Sequence, residues 1–201
     1  MPGPRLIFLA GPNGAGKSTF YKTFLKATGQ PFINADQITA ALGISNAEAA
    51  SAADAARAEM LAGRKSFITE TVFSDPVGAK LGFLRSATEA GYDVHLIYVG
   101  IASPLLSEGR VMQRVAGGGH DVPPDRLERR YRQSLQNLRS ALEFVPDVSV
   151  YDNTSDVNPF QLVLSVRRGK RVFVADPMPR WARSLIHRKR RACAVGQALV
   201  A

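Results

Sequence analysis

The chain has 201 residues, 45% of them hydrophobic and 21% charged, with a formal net charge of +9. That length can bury a core without disulfides or a structural metal, and the lone cysteine, Cys193, excludes an intrachain disulfide and fits a reducing cytoplasm. No apolar run is long enough to span a membrane, since the longest, near Val94 to Leu106, is broken by His95, Gly100, Ser103 and Pro104.

Arg5-Leu6-Ile7-Phe8-Leu9-Ala10 predicts a short, fully buried strand. It reads as the first strand rather than a leader, because it runs straight into Gly11-Pro12-Asn13-Gly14-Ala15-Gly16-Lys17-Ser18. That octapeptide satisfies G-x-x-x-x-G-K-[ST], the Walker A pattern, and residues 18–26 read as the helix that must follow it. Glycines let such a loop turn its backbone N–H groups inward around a phosphate, and the first helical turn adds unpaired N–H groups and the positive end of its dipole. Lys17 is placed to reach the β- and γ-phosphates and the Ser18 hydroxyl to bind Mg²⁺, so ATP with Mg²⁺ is the expected ligand.

Strand-like and helix-like segments then alternate, as an α/β fold requires. Residues 31–34 suggest a second short strand. Ser45-Asn46-Ala47-Glu48 is a capping box opening an alanine-rich helix to about Leu61, closed by Gly63. Residues 66–70 predict a third strand, and Pro76 is read as the start of a helix that closes near Gly91. Residues 94–99 form the most apolar strand. Ser103-Pro104 opens a helix that breaks at Gly117-Gly118-Gly119, and a charged helix follows from Pro124 to about Phe144. Residues 148–151 read as a strand, residues 162–166 and 171–174 as a β-hairpin, and a helix is expected after Pro179.

Charge divides this pattern. Residues 161–201 hold 10 Lys/Arg against Asp176 alone, which suggests a neutral core over residues 1–160 and a basic appendix over residues 161–201. The run His187-Arg188-Lys189-Arg190-Arg191 reads either as a solvated face or tail or as a contact for nucleic acid or an acidic partner.

Ligands of open α/β sheets bind beyond the carboxyl ends of the strands. Asn34 and Asp36 follow the second strand, and Glu70 and Thr71 end the third, so these four are the expected substrate-binding residues. A carboxylate there can accept the proton of an attacking hydroxyl or hold the metal. The bland alternatives are a helix cap for Asp36 and a rim carboxylate for Glu70. Arg110 and Arg114 share one helix face, the glycine triplet is a hinge, and Arg126, Arg129, Arg130 and Arg132 lie beyond it. Guanidinium forks match the charge of a transferred phosphoryl group, which points to a mobile arginine-bearing lid in which Arg114 and Arg130 act. His120 reads as a lid residue and Trp181 as packing.

In order along the chain, Gly11 to Ser18 with Thr19, Ile33-Asn34-Ala35-Asp36, Glu70-Thr71-Val72-Phe73-Ser74, Arg110-Val111-Met112-Gln113-Arg114-Val115, Gly118-Gly119-His120-Asp121-Val122-Pro123, Arg130-Tyr131 with Ser134-Leu135-Gln136-Asn137-Leu138, and Tyr151-Asp152-Asn153 resemble the small P-loop ATPases grouped with zeta toxins. The resemblance covers residues 5 to about 155. It implies a kinase-like fold, a parallel sheet sandwiched by helices with a helical lid. It also implies transfer of the ATP γ-phosphate to the 3′-hydroxyl of a UDP-N-acetylsugar or to another small hydroxyl acceptor. On this resemblance Asp36 is the base, Lys17, Arg110, Arg114 and Arg130 serve the ATP phosphates, Thr19 joins the loop contacts, and an antitoxin protein is the expected partner. After Asp36 the chain lacks the aromatic and basic residues of the UDP-sugar toxins, which leaves the acceptor open. Two other classes stand beside this one: an ATPase or nucleotide switch, and a nucleic-acid-associated ATP-binding protein using the basic segment. A transporter motor is excluded by the lack of a leucine-serine-glycine-glycine signature and by Asp152-Asn153, where such motors carry Asp-Glu.

Overall fold

The computed structural model describes residues 3–116 and 124–186, with the backbone alone for residues 114–116 and 124. A seven-stranded sheet forms its middle layer, in the order β2-β3-β1-β4-β5-β6-β7. The strands are β1 (Arg5–Ala10), β2 (Phe32–Ile33), β3 (Phe67–Thr71), β4 (Asp93–Gly100), β5 (Asp147–Asp152), β6 (Gln161–Arg167) and β7 (Lys170–Val174). The first five are mutually parallel, and β6 and β7 run antiparallel to their neighbours. The basic C-terminal segment therefore supplies two strands to the same sheet, and Val163, Leu164 and Val166 of β6 belong to its core.

Helices cover both faces because the central strands are apolar on both. Along β1 the side chains alternate, as the period of a strand requires. Leu6, Phe8 and Ala10 enter one core with Leu96, Tyr98, Val148 and Val150. Ile7 and Leu9 enter the other with Ile68, Ile97 and Val99. The first core is closed by α3 (Asn46–Ala62), α4 (Ala79–Glu89) and α6 (Pro124–Ala141), which contribute Ala53, Leu84, Ala87, Leu138 and Ala141. The second takes Phe20 and Leu25, which follow the phosphate-binding loop, and Tyr131 from α6. Burying side chains of this size stabilises the fold by roughly 1.5–3 kcal/mol each.

Helix ends follow the local chemistry closely in most places. Ser45 and Glu48 form the expected capping box of α3, with Ser45 N donating to Glu48 Oε2 at 2.9 Å and Glu48 N to Ser45 Oγ at 3.3 Å. α5 (Pro104–Ala116) begins where Ser103 Oγ accepts from Leu106 N. Three expectations shift. The helix after the loop is α1 (Lys17–Phe20), then a π-helical turn (Tyr21–Leu25), then a 3₁₀ turn (Lys26–Thr28) that ends as Thr28 Oγ1 donates to Leu25 O at 2.7 Å. α4 starts at Ala79 rather than Pro76, because Asp75 Oδ2 accepts from Lys80 N and Gly78 adopts the left-handed conformation just before the helix. The segment after Pro179 is a 3₁₀ helix (Arg180–Leu185), whose Trp181 packs against Gly100 and donates its indole N–H to Asp152 Oδ1 at 3.1 Å.

Candidate active site

β1 lies between β3 and β4, where the strand order reverses, and its C-terminal end opens into the crevice that such a reversal creates. The loop that follows turns on glycine. Gly11 has φ +146° and Gly16 φ +88°, conformations that a Cβ disfavours. Space is equally short: a Cβ on Gly11 would lie 2.1 Å from the Val99 carbonyl oxygen, and one on Gly16 2.4 Å from Asn153 Nδ2. Two buried side chains brace the loop from behind. Ser107 Oγ donates to Asn13 O at 2.6 Å, and Asn153 Nδ2 donates to Ala15 O at 2.9 Å. Sequence reasoning gave neither a role, though Asn153, immediately after β5 at this edge, carries the positional signal that marks Asp36 and Glu70.

Lys17 and Glu70 are both buried. Lys17 Nζ donates to Pro12 O at 3.1 Å and lies 3.8 Å from Glu70 Oε1, while Ser18 Oγ donates to Glu70 Oε2 at 3.4 Å. The lysine and serine of the loop and the carboxylate ending β3 thus form one cluster. Asn34, not Asp36, caps α2 (Ala35–Leu42): its extended backbone lets Asn34 Oδ1 accept from Gln37 N at 3.1 Å, as a good N-cap residue does. Asp36 is left exposed in the first turn, where the helix dipole favours its charge. Together with Asn34, Ser18, Thr19, Glu70, Thr71 and Arg110, it lines an open cleft of about 280 Å³.

A second layer supports the carboxylates. Arg57 of α3 is buried, donates from Nε to Thr69 Oγ1 at 2.7 Å and pairs with Asp54. Thr69 Oγ1 in turn donates to Ile33 O at 3.2 Å, tying the strand that presents Glu70 to the one that leads into Asp36. Burial weakens the hold of Arg57 on its proton and Asp54 opposes this. A lone arginine in an alanine-rich helix was the only trace of this bracing in the sequence.

The arginines divide. Arg110 lines the cleft, but its guanidinium donates to Asn153 O at 2.7 Å and pairs with Asp156 at 2.6 Å, clamping the loop after β5. Arg130 is half-buried, and three charges act on it. Burial first, then Arg126 and Arg129, weakens its hold on its proton, while Asp36 strengthens it. α6 is anchored beside it: Tyr131 donates to Ile101 O at 2.8 Å, with burial pushing its phenol up to about 12, and Asn137 Nδ2 donates to Phe73 O at 3.0 Å. Arg114 falls within α5, but its side chain, the glycine triplet, His120 and the basic run at residues 187–191 lie outside the described residues.

Comparisons with known proteins bear on the family and the fold. A family model described as Zeta toxin matches residues 33–161. A Haemophilus influenzae relative, described only as an uncharacterized protein, is 31% identical over 141 residues, covering 63% of this chain and 92% of that one. Among solved structures, a chain of the AvrRxo1-ORF1:-ORF2 complex with ATP superposes with a TM-score of 0.66 at 18% identity, over 88% of this chain and 62% of that chain. One from the PezAT chromosomal toxin-antitoxin system of Streptococcus pneumoniae gives 0.59 at 18% identity, over 76% and 69%. This chain therefore spans less than two thirds of the AvrRxo1 chain that it matches.

Proposed function

The chain belongs to the zeta toxin family, whose model matches residues 33–161, and on that footing we propose that it is an ATP-dependent phosphotransferase that moves the γ-phosphate of ATP to a hydroxyl of a small metabolite. The observation that carries this reading is the cleft at the C-terminal edge of the sheet, where a phosphate-binding loop faces two carboxylates from neighbouring strand ends. Lys17 and the loop N–H groups hold the β- and γ-phosphates. The acceptor oxygen attacks the γ-phosphorus, the bond from that phosphorus to the β,γ-bridging oxygen breaks, and ADP leaves. Asp36, at the mouth of the cleft, takes the hydroxyl proton. Arg130, whose charge reaches Asp36, moves onto the transferred group as negative charge spreads over its outer oxygens, and Arg114 is assigned the same role. Asn34 and Thr71 orient the acceptor, and Arg110 with Thr19 completes the nucleotide contacts.

Mg²⁺ fits the donor set. Among the described residues no three acidic, His or Cys side chains converge to hold a metal unaided, whereas Mg²⁺ binds through one or two protein oxygens plus substrate phosphates. Ser18 Oγ and Glu70, 3.4 Å apart, would be those oxygens, and the ion would supply neutralisation of phosphate charge. The UDP-N-acetylsugars of the family are the reference acceptors. An antitoxin-type partner is part of the proposal, by analogy with the toxin-antitoxin system that PezAT is, as is a cytoplasmic setting; no helix among the described residues is long and apolar enough to cross a membrane.

The test is a screen of hydroxyl metabolites with γ-labelled ATP. Transfer of label to an acceptor, lost in Lys17→Ala, is the expected result. Release of label only as inorganic phosphate, unchanged by every acceptor, would move the protein to the ATPase or switch class. Turnover stimulated by DNA or RNA alone would move it to the nucleic-acid class.

A further inference from the structure

Resting on the ATP-binding part of the phosphotransferase reading, we infer that Ser107 and Asn153 are positioning residues for phosphate. From behind the loop they aim the Gly14 and Gly16 N–H groups at the triphosphate and so set its affinity.

Neither residue lines the cleft, and both are buried, Ser107 fully and Asn153 at 8% exposure. Each lies directly against the loop. A Cβ on Gly14 would stand 2.7 Å from the Ser107 carbonyl oxygen, as one on Gly16 would crowd Asn153. Ser107 Oγ donates to the Asn13 carbonyl and Asn153 Nδ2 to the Ala15 carbonyl. Across a planar trans peptide the C=O and the N–H that follows point in opposite directions. The donor that draws Asn13 O back therefore turns Gly14 N–H forward, and the donor on Ala15 O does the same for Gly16 N–H. Gly14 and Gly16 line the cleft, so both N–H groups face the side where phosphates bind. These two glycines have φ of +68° and +88°, and without a Cβ their peptide units have other conformations to fall into. The two donors select one of them in advance.

Asn153 is itself fixed on two further sides. Its N–H donates to Gly100 O at 2.8 Å, at the end of β4, and its carbonyl accepts from Arg110 Nη1 at 2.7 Å. Ser107 is carried by α5. The ends of β4 and β5 and the body of α5 therefore hold the loop from outside it, and a phosphate meets donors that are already aimed. Preorganisation of this kind lowers the cost of binding. Loss of either donor frees a peptide unit that the ligand must then order.

The experiment measures, by calorimetry on the full chain with Mg²⁺, the binding of a non-hydrolysable ATP analogue and of inorganic tripolyphosphate. The proteins are wild type, Ser107→Ala, Asn153→Ala and Asn153→Asp, the last of which keeps the side-chain size but replaces the donor with an acceptor. Affinity for both ligands should fall roughly tenfold or more in each variant. Asn153→Asp should bind worst, because its carboxylate also repels phosphate. Tripolyphosphate has no base or ribose, so parallel losses for the two ligands locate the effect at the loop. Circular dichroism and the melting temperature without ligand report any purely structural damage, which leaves affinity in the folded protein unmoved. Wild-type affinity in folded Ser107→Ala or folded Asn153→Ala overturns the role of that residue. A loss for the ATP analogue alone, or a wild type that binds the analogue but not tripolyphosphate, overturns the inference as a whole. If the Asn153 variants fail to fold, Ser107→Ala, which removes a single oxygen, decides. Wild type that binds the analogue but transfers no label overturns the phosphotransferase reading and leaves this inference standing, whereas failure to bind the analogue overturns both.

Discussion

The two ends of the sheet carry charge in different ways. At the N-terminal end of the parallel strands, His95 Nε2 lies 2.9 Å from Ser149 Oγ and 3.3 Å from the Arg167 guanidinium. Asp147 accepts from Arg168 N at 3.1 Å, and Arg5 stands 3.9 Å from Asp93. These groups contact one another, and none of them lines the cleft. At the C-terminal end, Lys17, Ser18 and Glu70 are also in contact, but around an open cleft with Asp36 at its mouth. The histidine at the closed end is held down to about 4 by burial and by Arg167 and Arg5, against Asp147. A perturbed titration alone would have drawn attention to the wrong edge. A functional site needs polar groups that face an open space, and the cleft where the strand order reverses supplies it.

The comparison is broken most sharply at Lys17. If the open edge is the reaction site, Lys17→Ala should lower phosphoryl transfer by at least about 10³-fold, in line with the loss of a positioned charge in the transition state. Its melting temperature should fall, because Lys17 and Glu70 are both buried and the variant leaves the Glu70 carboxylate without the lysine. Turnover is therefore compared at a temperature where circular dichroism shows both proteins folded. Full turnover in the purified variant would remove the phosphate-loop assignment. Asp36→Asn comes next, with turnover down roughly 10²–10⁴-fold and ATP affinity near normal, the range for a general base. Loss of ATP binding with residual chemistry intact would make Asp36 a metal or structural residue. Arg130→Ala should cost about 10–10²-fold in turnover and less in ATP affinity, since demand for positive charge is greatest in the transition state. Equal losses in both would place Arg130 in ground-state binding only.

What the sequence made legible follows from range. β1 was readable to the residue because a strand buried on both faces is an uninterrupted apolar run. The phosphate loop was readable because its glycines are fixed by conformation and clearance. The capping box at Ser45 and Glu48 spans three residues and carries its own signal. Asn34 and Asp36 are both good caps two positions apart, so only the backbone at Asn34 decides between them. Asn153 holds Ala15 across 138 positions, and Arg57 reaches Thr69 from the next element. Such partners are chosen by tertiary packing, and no local pattern announces them. The grip of Arg110 on the loop after β5 is of the same kind: helix spacing placed it beside Arg114 but could not show what it held.

The smallest expected effect tests the closed edge. His95 ionises in the unfolded chain near 6.5 but in the folded protein only near 4. Between those values the unfolded state binds the proton and the native state does not, so stability falls as pH drops from about 6.5 toward 4 and levels off below. At 1.36 kcal/mol per pH unit the whole span amounts to roughly 3 kcal/mol. Urea unfolding at pH 7 and pH 4.5 should show this loss in the wild type. His95→Gln keeps a hydrogen-bonding amide near Ser149 without titrating, and its loss over the same interval should be smaller by about 2 kcal/mol. Phosphoryl transfer at pH 7 should be unchanged in that variant, because the closed edge lies at the opposite end of the strands from the cleft. A pH profile identical in the two proteins would mean that His95 titrates as freely folded as unfolded. A fall in transfer at neutral pH would show that the two edges are coupled through β4, and the division between a structural end and a chemical end would no longer hold.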